Sequence, residues 1–222
     1  MLFYWNGGRE RRTEMKNIIT VSREFGSGGR ELGKRLADEL GFSYYDREIV
    51  TALAEKTGMD EQYLEQQLDS SGVISYPVHF AQTFSQITAV SESTVHLMSL
   101  QTSLIRELGA RGNCVIVGRA ADAVLEEYSP FRIFVCADQE SKLRRCRQRA
   151  ADGENLTDRD ILRHMKRIDK NRAEYHDIIS SGAWGDKSAY HLCINTTDTD
   201  IRAIVPAVAE YYRCWAKADG DA

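Results

Sequence analysis

The sequence predicts an α/β fold, a parallel sheet of five strands covered by helices on both faces. Three observations carry this expectation. Five short apolar segments punctuate the 222 residues: Ile18–Ser22, Phe42–Tyr45, Asn113–Val117, Arg132–Cys136 and His191–Ile194. Helical patterns separate them, as crossovers between parallel strands require. The first segment runs straight into a glycine-rich turn and then a helix start, Ile18 to Lys34.

In chain order, residues 1–15 read as a loosely ordered extension. Met1–Trp5 is apolar but too short for a signal segment, and the charged run Arg9–Arg12 follows it. Met15-Lys16-Asn17 makes a natural start, so residues 16–222 form the single domain. The Ile18–Ser22 strand is β-branched and apolar, the pattern of a strand buried on both faces. The turn Gly26-Ser27-Gly28-Gly29 follows, and then a helix with Leu32, Leu36 and Leu40 on one face. A helix start leaves backbone N–H groups unpaired at the positive end of its dipole. Glycines let such a backbone close on an anion without Cβ clashes. Arg23, Gly26, Ser27, Gly28, Gly29, Arg30 and Glu31 therefore read as a phosphate cradle.

The cradle departs from the usual G-x-x-x-x-G-K-[ST] loop. Arg23 stands at the first glycine position, Gly28 keeps the second and Gly29 takes the lysine position. The phosphate lysine and the magnesium-binding hydroxyl are both missing. Arg30 and Arg23 are the nearest cations, and Arg23 could instead pair with Glu24 or Glu31.

Ligands of parallel sheets bind at the carboxyl ends of strands. That rule gathers Arg23–Arg30, Asp46, Arg119 and the segment after Cys136 at one edge. Asp46 follows the second strand, where it could accept from a sugar hydroxyl or base amine, or cap the next helix. Arg119 lies in Gly118-Arg119-Ala120-Ala121-Asp122, placed either to meet an anion or to pair with Asp122. Two segments exceed a simple crossover. Residues 47–111 read as a helical insertion with a Ser/Gly/Pro break at Ser70–Pro77. Residues 141–182 carry Arg144, Arg145, Arg147, Arg149, Lys166, Arg167, Lys170 and Arg172. They form either an arginine lid over phosphates or a solvated face balanced by nearby acids. Thr157 and Asp160 approximate a capping box at a helix start.

Net charge is −4, which argues against a global field for nucleic acid. No apolar run is long enough to span a membrane. The five cysteines (114, 136, 146, 193 and 214) contain no C-x-x-C pair, and three sit in apolar strands. They read as reduced core residues of a cytoplasmic protein. The histidines include no H-E-x-x-H, and Trp184-Gly185-Asp186 reads as packing.

These residues resemble the cytidylate kinase-like family, relatives of bacterial cytidylate kinases among P-loop nucleoside monophosphate kinases. The matches are Ile19–Glu31, Tyr45-Asp46, Gly118–Asp122, Ile168–Tyr175 and Trp184-Gly185-Asp186 ahead of Tyr190–Asn195. The resemblance implies a three-layer αβα P-loop kinase fold with a five-stranded parallel sheet, a nucleotide-binding insertion and a lid. It implies ATP-dependent phosphorylation of CMP or dCMP with Mg2+. Arg119, Asp46 and Asp122 would meet the acceptor, and Arg172 with Asp169 would form the lid's catalytic part beside Arg30. Glu31, water and the nucleotide would hold the metal. Nucleotides are the expected partners, with homo-oligomerisation open. A nucleotide- or anion-binding module without turnover, or a kinase of another small molecule, stand as alternatives.

Overall fold

A computed structural model of the chain describes residues 17–64, 73–80, 83–90, 92–149, 157–180 and 182–218. The expected extension at residues 1–15 lies outside them. The elements are β1 (Ile18–Arg23), α1 (Gly29–Leu40), β2 (Ser43–Tyr45), α2 (Glu48–Thr57), β3 (Val73–Phe80), β4 (Thr83–Val90) and α3 (Glu92–Arg111). They continue with β5 (Cys114–Val117), α4 (Ala121–Val124), β6 (Phe131–Cys136), α5 (Gln139–Arg149), α6 (Asp158–Ile179), β7 (Leu192–Asn195) and α7 (Ile201–Ala218). Five strands pair in the order β2-β5-β1-β6-β7, all parallel, as predicted.

Residue alternation sorts the core into two layers. Ile18, Cys114 and Ile116 face α2, α3 and α4 through Ile49, Leu53, Ile105 and Leu125. Ile19, Val21, Val115 and Val117 face α1 and α7 through Leu32, Leu36, Val205 and Ala209. Every residue of β5 is buried, and β1 is buried through Ser22, as two-sided cover dictates. The outer strands differ. β7 alternates between half-buried and exposed, so Cys193 is exposed rather than in the core. An edge strand lacks a neighbour on one side, and apolar sequence alone does not reveal that position. All five cysteines are free thiols.

One correction concerns residues 47–111. The insertion is not wholly helical: β3 and β4 pair antiparallel, Val73 opposite Val90 and Phe80 opposite Thr83. Ser70–Pro77, read as a break, thus includes most of a strand. The period-2 signal was present in Ile74, Tyr76, Val78 and Phe80. Pro77 masked it, yet each strand of a two-stranded ribbon keeps an open side where proline is tolerated.

The helix start expected at Thr157 is present. Thr157 caps α6, accepting from Asp160 N at 3.3 Å. Among the described residues, no helix is long and apolar enough to cross a membrane.

A phosphate cradle ringed by arginines

Because β1 lies between β5 and β6, its carboxyl end sits where the chain direction of crossovers reverses, the usual ligand crevice of such sheets. The turn there is braced from below. Ser27 is fully buried; its N–H and Oγ both donate to Glu24 O, at 3.3 and 2.8 Å. Thr196 Oγ1 donates to Ser27 O at 2.6 Å. Gly26 (φ 76°) and Gly28 (φ 85°) are left-handed, which turns the chain into α1. Among the described residues, the N–H groups of Gly28, Gly29 and Arg30 have no protein acceptor. The cradle is therefore Gly28–Arg30, and Ser27 holds it rather than lining it. Counted from Arg23, Gly29 stands in the lysine's place and Arg30 in the hydroxyl's.

Arg23 leaves the last residue of β1 and runs under this cradle. Its side chain is only 12% exposed and lies 3.8 Å from Asp46 Oδ1. Arg30 Nε pairs with Asp46 Oδ2. Asp46, buried and expected to meet an acceptor hydroxyl or base, thus faces two arginines instead. Burial, then the charges of Arg172, Arg119 and Arg30, pull the Arg23 pKa down to about 9 against the opposing pull of Asp46. A cation under such strain from its neighbours gains from an incoming anion.

Arg172 reaches the same point from α6. Its Nη1 donates to Arg23 O at 3.0 Å and to Asp169 Oδ1 at 3.2 Å. Asp169 also accepts from Phe25 N at 2.7 Å, and burial pushes its carboxyl pKa up. Asp169 therefore ties the lid helix to the glycine turn; its oxygen is engaged with the protein rather than directed at a ligand.

After β5, Gly118 (φ 75°), Arg119 (φ 61°) and Ala120 (φ 49°) are all left-handed. Two non-glycine residues in that region cost about 1–3 kcal/mol each. This strained turn aims Arg119 at the cleft. Asp122, expected at the substrate, is buried and supports the turn. It lies 3.4 Å from Ser22 Oγ and 3.0 Å from His176 Nε2.

Two adjoining cavities result. The larger, about 670 Å³, lies over the glycine turn between Phe25, Gly28, Arg145, Arg149, Ile161 and His164, within the size range of nucleotide-scale sites. The smaller, about 70 Å³, is lined by Ser22, Arg119, Asn171, Tyr175, His176 and Trp184, closer to a phosphate group than to a nucleotide. Arg23, Arg30 and Arg172 line both.

Three further cations of the 141–182 segment are engaged with protein groups. Arg144 pairs with Asp198 at 2.7 Å, Arg147 with Asp158, and Arg145 binds the carbonyl of Thr196 at 2.5 Å. Glu31, expected at a metal, pairs instead with Arg35 at 2.9 Å and Arg149 at 3.2 Å.

Sequence reasoning missed His176, Tyr175 and Asn171 in the small cavity. His176 is 4% exposed. Burial lowers its pKa, but the Asp122 hydrogen bond and charge outweigh that and raise it overall. Tyr175 is pushed up to about 12 by burial. The spacing Ile161, Met165, Ile168, Arg172, Tyr175 is the inward stripe of α6 and could have marked Tyr175.

The family model for the cytidylate kinase-like family matches residues 18–198. The chain belongs to that family. No curated protein matches its sequence. A structurally similar protein is an uncharacterised one from Eubacterium ventriosum, 24% identical, covering 89% of this chain and 98% of that one, with a TM-score of 0.64. Another is shikimate kinase from Bacteroides thetaiotaomicron, 15% identical, with 89% and 98% coverage and a TM-score of 0.56. At these identities the likeness is one of fold. The kinase-like family and fold agree with the α/β architecture, and the chain is phosphotransferase-like.

Proposed function

We propose that this chain transfers the γ-phosphoryl group of ATP to a nucleoside monophosphate, with CMP and dCMP the leading acceptors. One observation carries this reading: two cavities of unequal size meet at Arg23, Arg30 and Arg172. Phosphoryl transfer needs two anions brought together and negative charge balanced where they meet.

The donor triphosphate would lie in the larger cavity, its phosphates on the N–H groups of Gly28–Arg30 at the start of α1. The acceptor phosphate would enter the smaller one beside Arg119. An acceptor phosphate oxygen attacks the γ-phosphorus in line, and the bond to the β–γ bridging oxygen breaks, releasing ADP. The acceptor oxygen is already ionised, so no base is needed. Arg172 and Arg23 balance charge on the moving group, and Asp169 keeps Arg172 in place. Arg145 and Arg149 bound the donor side.

A protein-held divalent cation does not fit the donor set. Glu31, Asp46 and Asp122 each already face cationic or hydrogen-bonding partners. No group of three or more His, Cys, Asp or Glu among the described residues could hold a metal. Magnesium would arrive on the nucleotide's own phosphates.

The test is ADP release measured across the nucleoside monophosphates, beside ATP binding by calorimetry. ADP release that depends on a cytidine monophosphate supports the proposal. Tight ATP binding with no release for any acceptor would favour a binding module without turnover. Release only with a non-nucleotide acceptor would favour another small-molecule kinase.

A further inference from the structure

The missing lysine leaves a question that the proposed kinase reading does not answer: which cation stands in for it. Arg30 is one candidate, but its side chain is half exposed and its Nε is held by Asp46. Arg23 is fixed far more firmly. A Cβ on Gly29 would fall 2.5 Å from Arg23 Cβ, a distance side chains do not tolerate. A Cβ on Gly118 would fall 1.6 Å from Arg23 Nη1. The Arg23 side chain therefore occupies space that two glycines leave open, Gly29 beside its Cβ and Gly118 beside its guanidinium. Gly29 opens α1, and Gly118 directly follows β5.

We infer that positions 23 and 29 have exchanged roles: Arg23, at the first glycine's place, supplies the fixed phosphate charge, and Gly29, at the lysine's place, makes room for it. The charge enters from the strand below the cradle instead of from the helix beside it. Arg23 lines both cavities, so the inferred charge reaches donor and acceptor alike. Burial makes the position rigid, and arginine keeps its proton at neutral pH even though its pKa falls to about 9. A lysine on the same path would place one point charge where the guanidinium offers a planar fork. The inference rests on the kinase reading for the moving group but on geometry alone for the anion.

The experiment is a reversal of the exchange. Arg23→Gly, Gly29→Lys and the Arg23→Gly/Gly29→Lys pair are compared with the parent, for ATP binding by calorimetry and for ADP release with CMP. Arg23→Gly should cut transfer about 10³-fold, as loss of a charge-balancing arginine does. Gly29→Lys alone should also be impaired, because its Cβ meets that of Arg23. The pair removes the collision and restores a helix-borne cation, so it should exceed Arg23→Gly at least tenfold in rate and in ATP affinity. Arg23→Met, which keeps bulk without charge, should match Arg23→Gly and covers the case in which the glycine variant unfolds.

Arg23→Met retaining the parent's ATP affinity and rate would overturn the inference, as would a pair no better than Arg23→Gly. The kinase reading fails separately. If the parent releases no ADP, yet Arg23→Met still loses ATP affinity and the pair regains it, the exchange stands for the anion and the transfer does not.

Discussion

Arg172→Ala separates a charge-balancing role from a structural one, and its two effects can be sized from the contacts. The side chain is 23% exposed, so more of it packs than a solvated lid arginine would. It donates to Arg23 O and Asp169 Oδ1 and lies 5.8 Å over the Phe25 ring. Hydrogen bonds from a charged group contribute roughly 1.5–3 kcal/mol each. Against that, removing Arg172 relieves its repulsion of Arg23, on the order of 2 kcal/mol for nearby charges at an effective dielectric near 20. The net loss of stability is about 1–4 kcal/mol, a fall in Tm of about 2–16 °C for a chain of this size. Loss of a transfer-site arginine costs about 10³-fold in rate, roughly 4 kcal/mol in the barrier. The catalytic effect should therefore match or exceed the structural one. Thermal unfolding and kcat for ADP release, on one preparation, read both. A kcat within threefold of the parent, or a Tm fall beyond about 16 °C, would refute the assignment. Asp169→Asn is the control: its Oδ1 can still accept from Phe25 N while its charge on Arg172 is gone, so kcat should drop less than in Arg172→Ala.

Three further outcomes follow from the same geometry. His176 has a raised pKa in the folded chain, so its pairing with Asp122 adds stability below the ordinary value of 6.5 and loses it as pH rises through the folded pKa. Tm measured over roughly pH 5.5–8.5, which brackets the ordinary histidine value, should decline with pH in the parent, and the slope should flatten in His176→Gln; parallel curves would show that the pair is not the source. Glu31→Gln should leave the magnesium dependence of ADP release unchanged and ATP affinity equal or tighter, because Glu31 is a counterion to Arg35 and Arg149; a weakened magnesium response would restore it as a metal ligand. Gly118→Ala should displace the Arg23 guanidinium and strain a left-handed residue, lowering both Tm and ATP affinity, measured by thermal unfolding and calorimetry; unchanged ATP affinity would show that the guanidinium can move without consequence.

The fold was legible because the strands of a two-sided sheet announce themselves as short apolar runs. All five were visible, and so were the start of α1 at Gly29 and the cap at Thr157. Edge position was not legible: nothing in the composition of Leu192–Asn195 says that one side lacks a neighbour. The β3–β4 pairing hid behind Pro77 and behind Ala81-Gln82, which puts no Gly, Pro, Asn or Asp between the two strands. At the site, sequence identified the arginines but not their partners. Asp46, Asp122 and Glu31 were read as groups for ligands because carboxylates near a phosphate site invite that role. The structure pairs each with a neighbour distant in sequence or across a helix turn: Arg23, His176 and Arg149 among them. Such pairings depend on which elements the sheet order brings together. The same holds for the Arg23–Gly29–Gly118 relation, where three positions in different elements share one volume.

The most direct measurement is a crystal structure with a bisubstrate analogue that joins adenosine and cytidine through five phosphates. The two-cavity arrangement predicts that its phosphate chain crosses from the Gly28–Arg30 N–H groups to Arg119, with Arg23 and Arg172 nitrogens about 2.7–3.2 Å from the oxygens at the midpoint. An analogue whose phosphates lie away from the Arg23–Arg30–Arg172 junction, or a cradle that remains free of them, would contradict it.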